Sequence, residues 1–161
     1  MAAYLGSRAL FLAVAIATHG LVGYALGAAL FDAPRAGLVG GVVADADLLV
    51  PTAWGPLAHR GLTHSVLAAV VAAGVAARYS HTAAGGVGVG YASQLIVDAM
   101  TPRGIPAAAP FWSTHVGVSL GGHSPEATAV LWVCSLAILW VSRDGLDGVG
   151  RERRSDGDSR R

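Results

Sequence analysis

Between His59 and Ser65 the chain reads His-Arg-Gly-Leu-Thr-His-Ser, which places two imidazoles, a guanidinium and two hydroxyls within seven residues of otherwise apolar sequence. Imidazoles five positions apart do not share one face of a continuous helix, where neighbours recur at three or four. Thr63 or Ser65 can instead cap a helix that begins near His64, leaving His59 in the preceding loop to fold back toward its partner. That geometry suits a metal held at a helix mouth. The planar fork of Arg60 matches phosphate or carboxylate oxygens and makes it a candidate anion clamp. The competing reading is a polar interfacial loop with no bound ion.

Other polar groups are sparse and stand at telling places. His19 lies in the middle of the first apolar run, where an imidazole is costly to leave without a partner; a hydrogen bond to a neighbouring helix or a metal would satisfy it. Asp45 and Asp47 point to one side in extended backbone and diverge by about 200° in a helix. So close together amid hydrophobic sequence, they repel unless a cation or an arginine lies between them, or unless they face water at a membrane edge. Asp98 shares a helix face with Gln94, four residues earlier. It can complete a polar cluster with the loop histidines, or cap its helix or pair with Arg103. Together His19, Asp45, Asp47, His59, His64 and Asp98 form the ligand set expected of one or two zinc, manganese or iron ions. Such ions supply hydroxide near neutral pH or bridge both oxygens of a displacement at phosphorus. Asp98, or Asp45 if it is not a ligand, would then serve as general base. His115 and His123, eight apart in glycine- and serine-rich sequence, carry little signal as ligands.

The elements that must position these groups belong to a membrane protein by composition. Of 161 residues, 53% are hydrophobic and only 13% charged, against roughly 25% charged in a soluble domain. A formal net charge of +1 argues against a broad nucleic-acid-binding surface. The one cysteine, Cys134, excludes an intrachain disulfide and any cysteine-only zinc cage.

Hydropathy predicts an all-α polytopic bundle. Four full spans begin near residues 5, 62, 83 and 127, and the short apolar stretch Ala36 to Val50 reads as re-entrant or tilted. Pro51 to Ala58 is a loop by its two prolines and glycine, with Trp54 suited to the headgroup layer. The glycines at 85, 86, 88 and 90 permit close helix packing and lack the strand-then-helix context of a phosphate-binding loop. Residues 1–143 form the membrane-embedded domain. Residues 144–161, rich in Arg, Asp, Ser and Gly, read as a disordered tail whose arginines predict a cytoplasmic C-terminus, with the N-terminus on the same side.

Four motifs in order resemble a known family. These are Thr18-His19, the Asp-x-Asp at Asp45-Ala46-Asp47, His-Arg-Gly-x-Thr-His-Ser at 59–65, and Asp-x-x-Thr-Pro-x-Gly at 98–104 followed by Pro110-Phe111. The pattern is similar to that of the membrane-bound metal-dependent hydrolases described as LexA-binding and inner-membrane-associated, the DUF457 group, and it covers residues 18 to 111. Two departures stand out: members usually carry a histidine where this chain has Gln94, and many carry one directly after the Asp-x-Asp, where this chain has Leu48. The first puts one metal position in question and leaves a reduced or single-metal site open.

The resemblance implies a membrane-bound, metal-dependent hydrolase, with zinc or manganese as cofactor. A phosphoester or lipid-like substrate at the membrane interface is the natural choice, with Arg60 holding its anionic group. The alternative is a non-catalytic membrane protein, either an ion- or proton-coupled transporter or the membrane partner of a cytoplasmic regulator, since intramembrane Asp and His also mark proton relays. Membrane lipid is the expected surrounding and nucleic acid is not an expected partner. Substrate, metal identity and oligomeric state are not legible at this level.

Overall fold

The computed structural model describes residues 6–49 and 59–158, with side chains as far as residue 142. Five helices follow in order: α1 Arg8–Phe31, α2 Pro34–Val43, α3 Val66–Ala77, α4 His81–Ala99 and α5 Pro125–Asp158. Trp54 and the rest of the expected 51–58 loop lie outside the described residues.

Local chemistry sets the helix starts. Ser7, Ser65, Ser80 and Ser124 accept hydrogen bonds from the backbone N–H three residues on, at 3.3, 3.2, 3.0 and 3.2 Å, which satisfies donors that the first turn leaves over. Pro34 opens α2, where its missing N–H costs nothing. Asp32 closes α1 in the left-handed region, at φ 51°, and its N–H bonds back to the Gly27 carbonyl. Ser65 thus caps α3, as its place after His64 suggests. The residues before it, Leu62–His64, form a short 3-10 turn, so α3 begins four residues later than the span expected from residue 62.

α2 packs between α1 and α4, and α4 also contacts α1 and α3. The layers meet backbone to backbone. A methyl group on Gly37 would strike the carbonyl oxygen of Gly23, and one on Gly90 would strike that of Gly37. Gly37→Val should therefore force α1 and α2 apart, with a loss at or beyond the upper end of the ~1–3 kcal/mol usual for overpacking. Gly74, with nothing within 4 Å of its would-be Cβ, should accept alanine without loss. Thermal melting of the two variants in detergent checks the contrast.

The expectation of four full spans is not met. Among the described residues, two helices are long and apolar enough to cross a membrane, Arg8–Phe31 and Pro125–Ser142. α3 is apolar but has only 12 residues, about 18 Å at 1.5 Å per residue against the ≈ 30 Å of a bilayer core. α4 has 19 residues, but its inner face carries Gly86, Gly90, Ser93, Gln94 and Asp98, all buried against other helices. It is a core helix whose glycines and polar groups lower its hydropathy. α2 is short, as its sequence implies, with 10 residues. The backbone of α5 is helical to Asp158.

Helix directions follow from these contacts. Trp132, in the first half of the apolar part of α5, donates to Thr18 midway along α1, and Ser142, where that apolar part ends, lines a cavity with Leu30 and Phe31 at the end of α1. The two spans are parallel, so the start of α1 lies opposite the far end of α5, not beside it as four crossings would require. α3 buries none of its residues. Val66, Val70, Val71 and Val75 of α3, with Val130, Val133, Leu136 and Val141 of α5, form outward apolar surface that nothing among the described residues covers.

Candidate metal centre

The polar motifs meet where α2 and α4 end and α3 and α5 begin, beside the middle of α1. α2 arrives there and tightens into the 3-10 turn Ala44–Leu49; α3 and α5 leave from it, and α4 ends at it. At three residues per turn, side chains two apart diverge by about 240°. Asp45 and Asp47 therefore approach the His64 ring from different sides. Asp47 Oδ2 lies 3.1 Å from Nδ1 and Asp45 Oδ1 lies 3.6 Å from Nε2.

Asp47 organises the loop rather than joining a ligand cluster. Its Oδ1 faces His59 Nδ1 at 2.9 Å, and its Oδ2 accepts from the Arg60 N–H at 3.0 Å and from Thr63 Oγ1 at 2.8 Å. Both imidazoles thus turn Nδ1 toward one carboxylate, which leaves Nε2 of each as the atom presented elsewhere. A carboxylate behind a histidine in this way fixes ring orientation and raises ligand basicity. Burial opposes the charge on Asp47, but hydrogen bonds from His59, His64 and Thr63 hold its carboxyl well below the usual carboxylate range. Asp47→Asn should cost about 10–100-fold in metal affinity, read by competition with a zinc chelator; unchanged affinity would remove the orienting role.

Two triplets of potential ligands result. Asp45, His59 and His64 form one, and His19, Asp98 and His123 the other, with the ligand atoms of each within 4.8 Å of one another. Asp98 stands between them. Its Oδ2 is 3.2 Å from His64 Nε2, while its Oδ1 is 3.8 Å from His19 Nε2 and 3.6 Å from His123 Nε2. Of the six side chains singled out by sequence, five enter these triplets and the sixth, Asp47, supports one of them. His123 is the residue that sequence undervalued: its Nε2 lies 3.2 Å from His19 Nε2, across a separation of 104 residues. It is placed by the loop after α4, where Val118 and Gly122 donate to the carbonyls of Ala99 and Met100. One signal was available. His123-Ser124 repeats the pairing of His64-Ser65, a histidine directly before a capping serine at a helix start. His115 is exposed and joins neither triplet.

Arg60 is spent inside the protein. Its Nη2 donates to Asp98 Oδ1 at 2.6 Å, and its Nη1 donates to Thr101 Oγ1 at 2.7 Å and to the Gly104 carbonyl at 3.3 Å. The backbone adopts φ 64° to deliver it. The guanidinium expected to clamp a substrate anion instead holds the Asp98 carboxylate in place, and Asp98 pairs with Arg60, not with Arg103.

A cavity of about 20 Å³ lies among His19, Asp45, His59, Asp98 and His123, room for one water-sized occupant. Around the site His64 Nε2, Asp45 Oδ2, Asp98 Oδ2 and His19 Nδ1 are buried without a hydrogen-bond partner, as are both amide atoms of Gln94 one turn before Asp98. Such groups are costly to bury unsatisfied. A converging set of imidazole and carboxylate lone pairs fits a divalent cation, so the residues present fit the metal that the motifs imply. Electrostatics agree. Burial works against a charged His64, yet Asp45, Asp47 and Asp98 outweigh it and push its pKa up to about 10. Burial also opposes ionised Asp98, but His64, His19 and Arg60 hold its carboxyl below the usual range. Burial, then repulsion by His19, push His123 down to about 4, so it offers a neutral ring at pH 7. A proton on His64 occupies the place a cation would take.

Comparison with known proteins adds one finding. A family model described as YdjM inner membrane protein matches residues 14–150. No curated protein and no solved structure matches this chain.

Proposed function

Since this chain belongs to the YdjM inner membrane protein family, we propose that it is a membrane-bound metal-dependent hydrolase acting on a phosphoester at the membrane interface. The family and the two apolar helices support a membrane location. The observation that carries the proposal is the pair of His/Asp triplets gathered around one small cavity lined by His19, Asp45, His59, Asp98 and His123, with Asp45 Oδ2 and His19 Nδ1 buried without a hydrogen-bond partner. Asp45, His59 and His64 would hold one ion, and His19, Asp98 and His123 a second. A zinc or manganese ion bound there supplies hydroxide at neutral pH and stabilises charge developing on phosphoryl oxygen.

The chain's own residues divide the remaining work. Asp47 keeps both loop imidazoles turned Nε2-first into the site. Arg60 fixes Asp98 between the triplets and keeps it ionised. Asp45 would offer its ion one oxygen, Oδ1, and its second, Oδ2, which has no partner, would then be the atom placed to take the proton of an attacking water. The amide of Gln94 can donate to or accept from whatever polar group enters. Every buried charged side chain among the described residues belongs to this cluster, so they do not line a path from one face to the other, as ion- or proton-coupled transport would need.

Elemental analysis of detergent-purified protein tests the proposal, together with a panel of phosphomonoesters and phosphodiesters. One or two equivalents of zinc or manganese are expected, with hydrolysis abolished by chelation and restored by the metal. Protein that stays metal-free at neutral pH, or that cleaves no member of the panel with metal bound, would overturn it.

A further inference from the structure

Outside the ion cavity lies a larger one, of about 430 Å³, that shares Phe11, Leu12, His59 and Arg60 with it. Its rim is cationic, with Arg8 on the first turn of α1 and Arg103 on the loop after α4. Both arginines are exposed, and its lining includes no aspartate or glutamate. Arg103 is steadied by a 3.2 Å hydrogen bond to the His59 carbonyl, which ties it to the residue that fronts the metal triplet. Phe11, Leu12 and Pro102 supply apolar wall between the two arginines. Arg8 also begins an apolar helix long enough to span, which sets the rim at headgroup depth, where arginine side chains meet lipid phosphate.

Taking the hydrolase reading as given, we propose that this vestibule binds the phosphate of an anionic lipid between Arg8 and Arg103, and that the substrate is a lipid phosphoester captured there before it reaches the triplets. The fork of each guanidinium suits phosphate oxygens, while the apolar wall accepts the adjoining glycerol and first methylenes. Arg60, consumed by Asp98, is thereby replaced as the anion-recognising group by two arginines outside the His59–Ser65 motif, Arg8 and Arg103.

Binding is measured on chelator-treated, detergent-solubilised full-length protein, so that no turnover is involved. The probes are dihexanoylphosphatidic acid, dihexanoylphosphatidylcholine and inorganic phosphate. The expected result is at least tenfold tighter binding of the phosphatidic acid than of either other probe, weakening as salt rises. The Arg8→Gln/Arg103→Gln protein should lose that preference at an unchanged melting temperature. Wild-type protein with no preference for the phosphatidic acid overturns the proposal without any variant. Inorganic phosphate bound as tightly overturns the lipid assignment and leaves a free phosphate site. If the preference holds while metal and hydrolysis are absent, the vestibule stands and the hydrolase reading falls.

A separate observation fixes which face this vestibule opens on. Because α1 and α5 are parallel, the end holding the site carries Arg8, Arg60 and Arg103. The other eight arginines belong to the opposite end, as Arg35 and Arg78 in its short turns, or to the segment from Arg143 onward that follows the apolar part of α5. Positive charge stays cytoplasmic. We infer that the metal centre opens on the extracytoplasmic face. In a Cys134→Ser background, Ser113→Cys should react with a membrane-impermeant maleimide in spheroplasts, and Tyr79→Cys only after lysis. The reverse pattern, or equal labelling of both, overturns the inference.

Discussion

His64→Ala is expected to lose bound metal altogether, with affinity falling by more than the ~10–100-fold that changes behind a ligand produce, and hydrolysis falling with occupancy. His64 is fully buried, and among the described residues its ring is the one group paired with Asp45, Asp47 and Asp98 together. Its removal takes away a ligand and leaves three carboxylates with less to oppose their repulsion. Equilibrium dialysis against zinc, followed by elemental analysis, measures the loss. The wild-type protein carries a companion signature. With a pKa of about 10, His64 is protonated at neutral pH in the metal-free state, so the ion must displace that proton. Apparent affinity should climb about tenfold per pH unit between pH 6 and 8 from this group alone, and calorimetry in buffers of different ionisation enthalpy should show a proton released. Metal-free stability runs the other way. A folded pKa raised above the ordinary imidazole value of 6.5 contributes stability in full below that pH, and the contribution is lost as pH rises through about 10. Retention of metal by His64→Ala would remove the central claim.

Arg60→Met is expected to cost about 3–5 kcal/mol, because it leaves Asp98 buried without its closest cation. The guanidinium joins three segments: its own loop, the end of α4 through Asp98, and the following turn through Thr101 and Gly104. Methionine retains much of the stem's packing and the same strained backbone angle, so the difference reports the charge and its hydrogen bonds. Lysine should recover only part of the loss, since a single ammonium cannot reproduce the fork that reaches Asp98 and Thr101 at once. Adding Asp98→Asn to Arg60→Met should cost less than the sum of the single changes. Unfolding in mixed micelles, read by tryptophan fluorescence, measures all four. A loss below about 1 kcal/mol for Arg60→Met would mean that Asp98 is not held by this pair.

Much of the site was legible because placing polar atoms in apolar sequence is expensive, and that expense does not depend on the fold. His19, Asp45, Asp47, His59, His64 and Asp98 stood out for that reason alone, and they do come together. Their division of labour was not legible. Asp45 and Asp47 are equivalent in sequence; a 3-10 turn sends one toward the cavity and the other behind two imidazoles. His123 was undervalued because its meaning depends mainly on a histidine 104 residues away, and loop sequence rich in glycine and serine carries no periodicity from which to place it. Arg60 looked like a surface anion clamp because its type suits one, and only its burial against Asp98 shows that its charge is used internally.

Residue types and short-range spacing determined the all-helical class, the serine cap of α3, the brevity of α2 and the chemistry of the ligand set, since each follows from interactions within about one turn of chain. Tertiary structure decided how many helices are long and apolar enough to span, because hydropathy registers an apolar or glycine-rich helix without saying what it faces. α4 is spent on packing against α1 and α2, and α3 is too short. It also decided the parallel course of α1 and α5, and with it the side of the bundle on which six distant polar residues and a seventh, unmarked histidine meet.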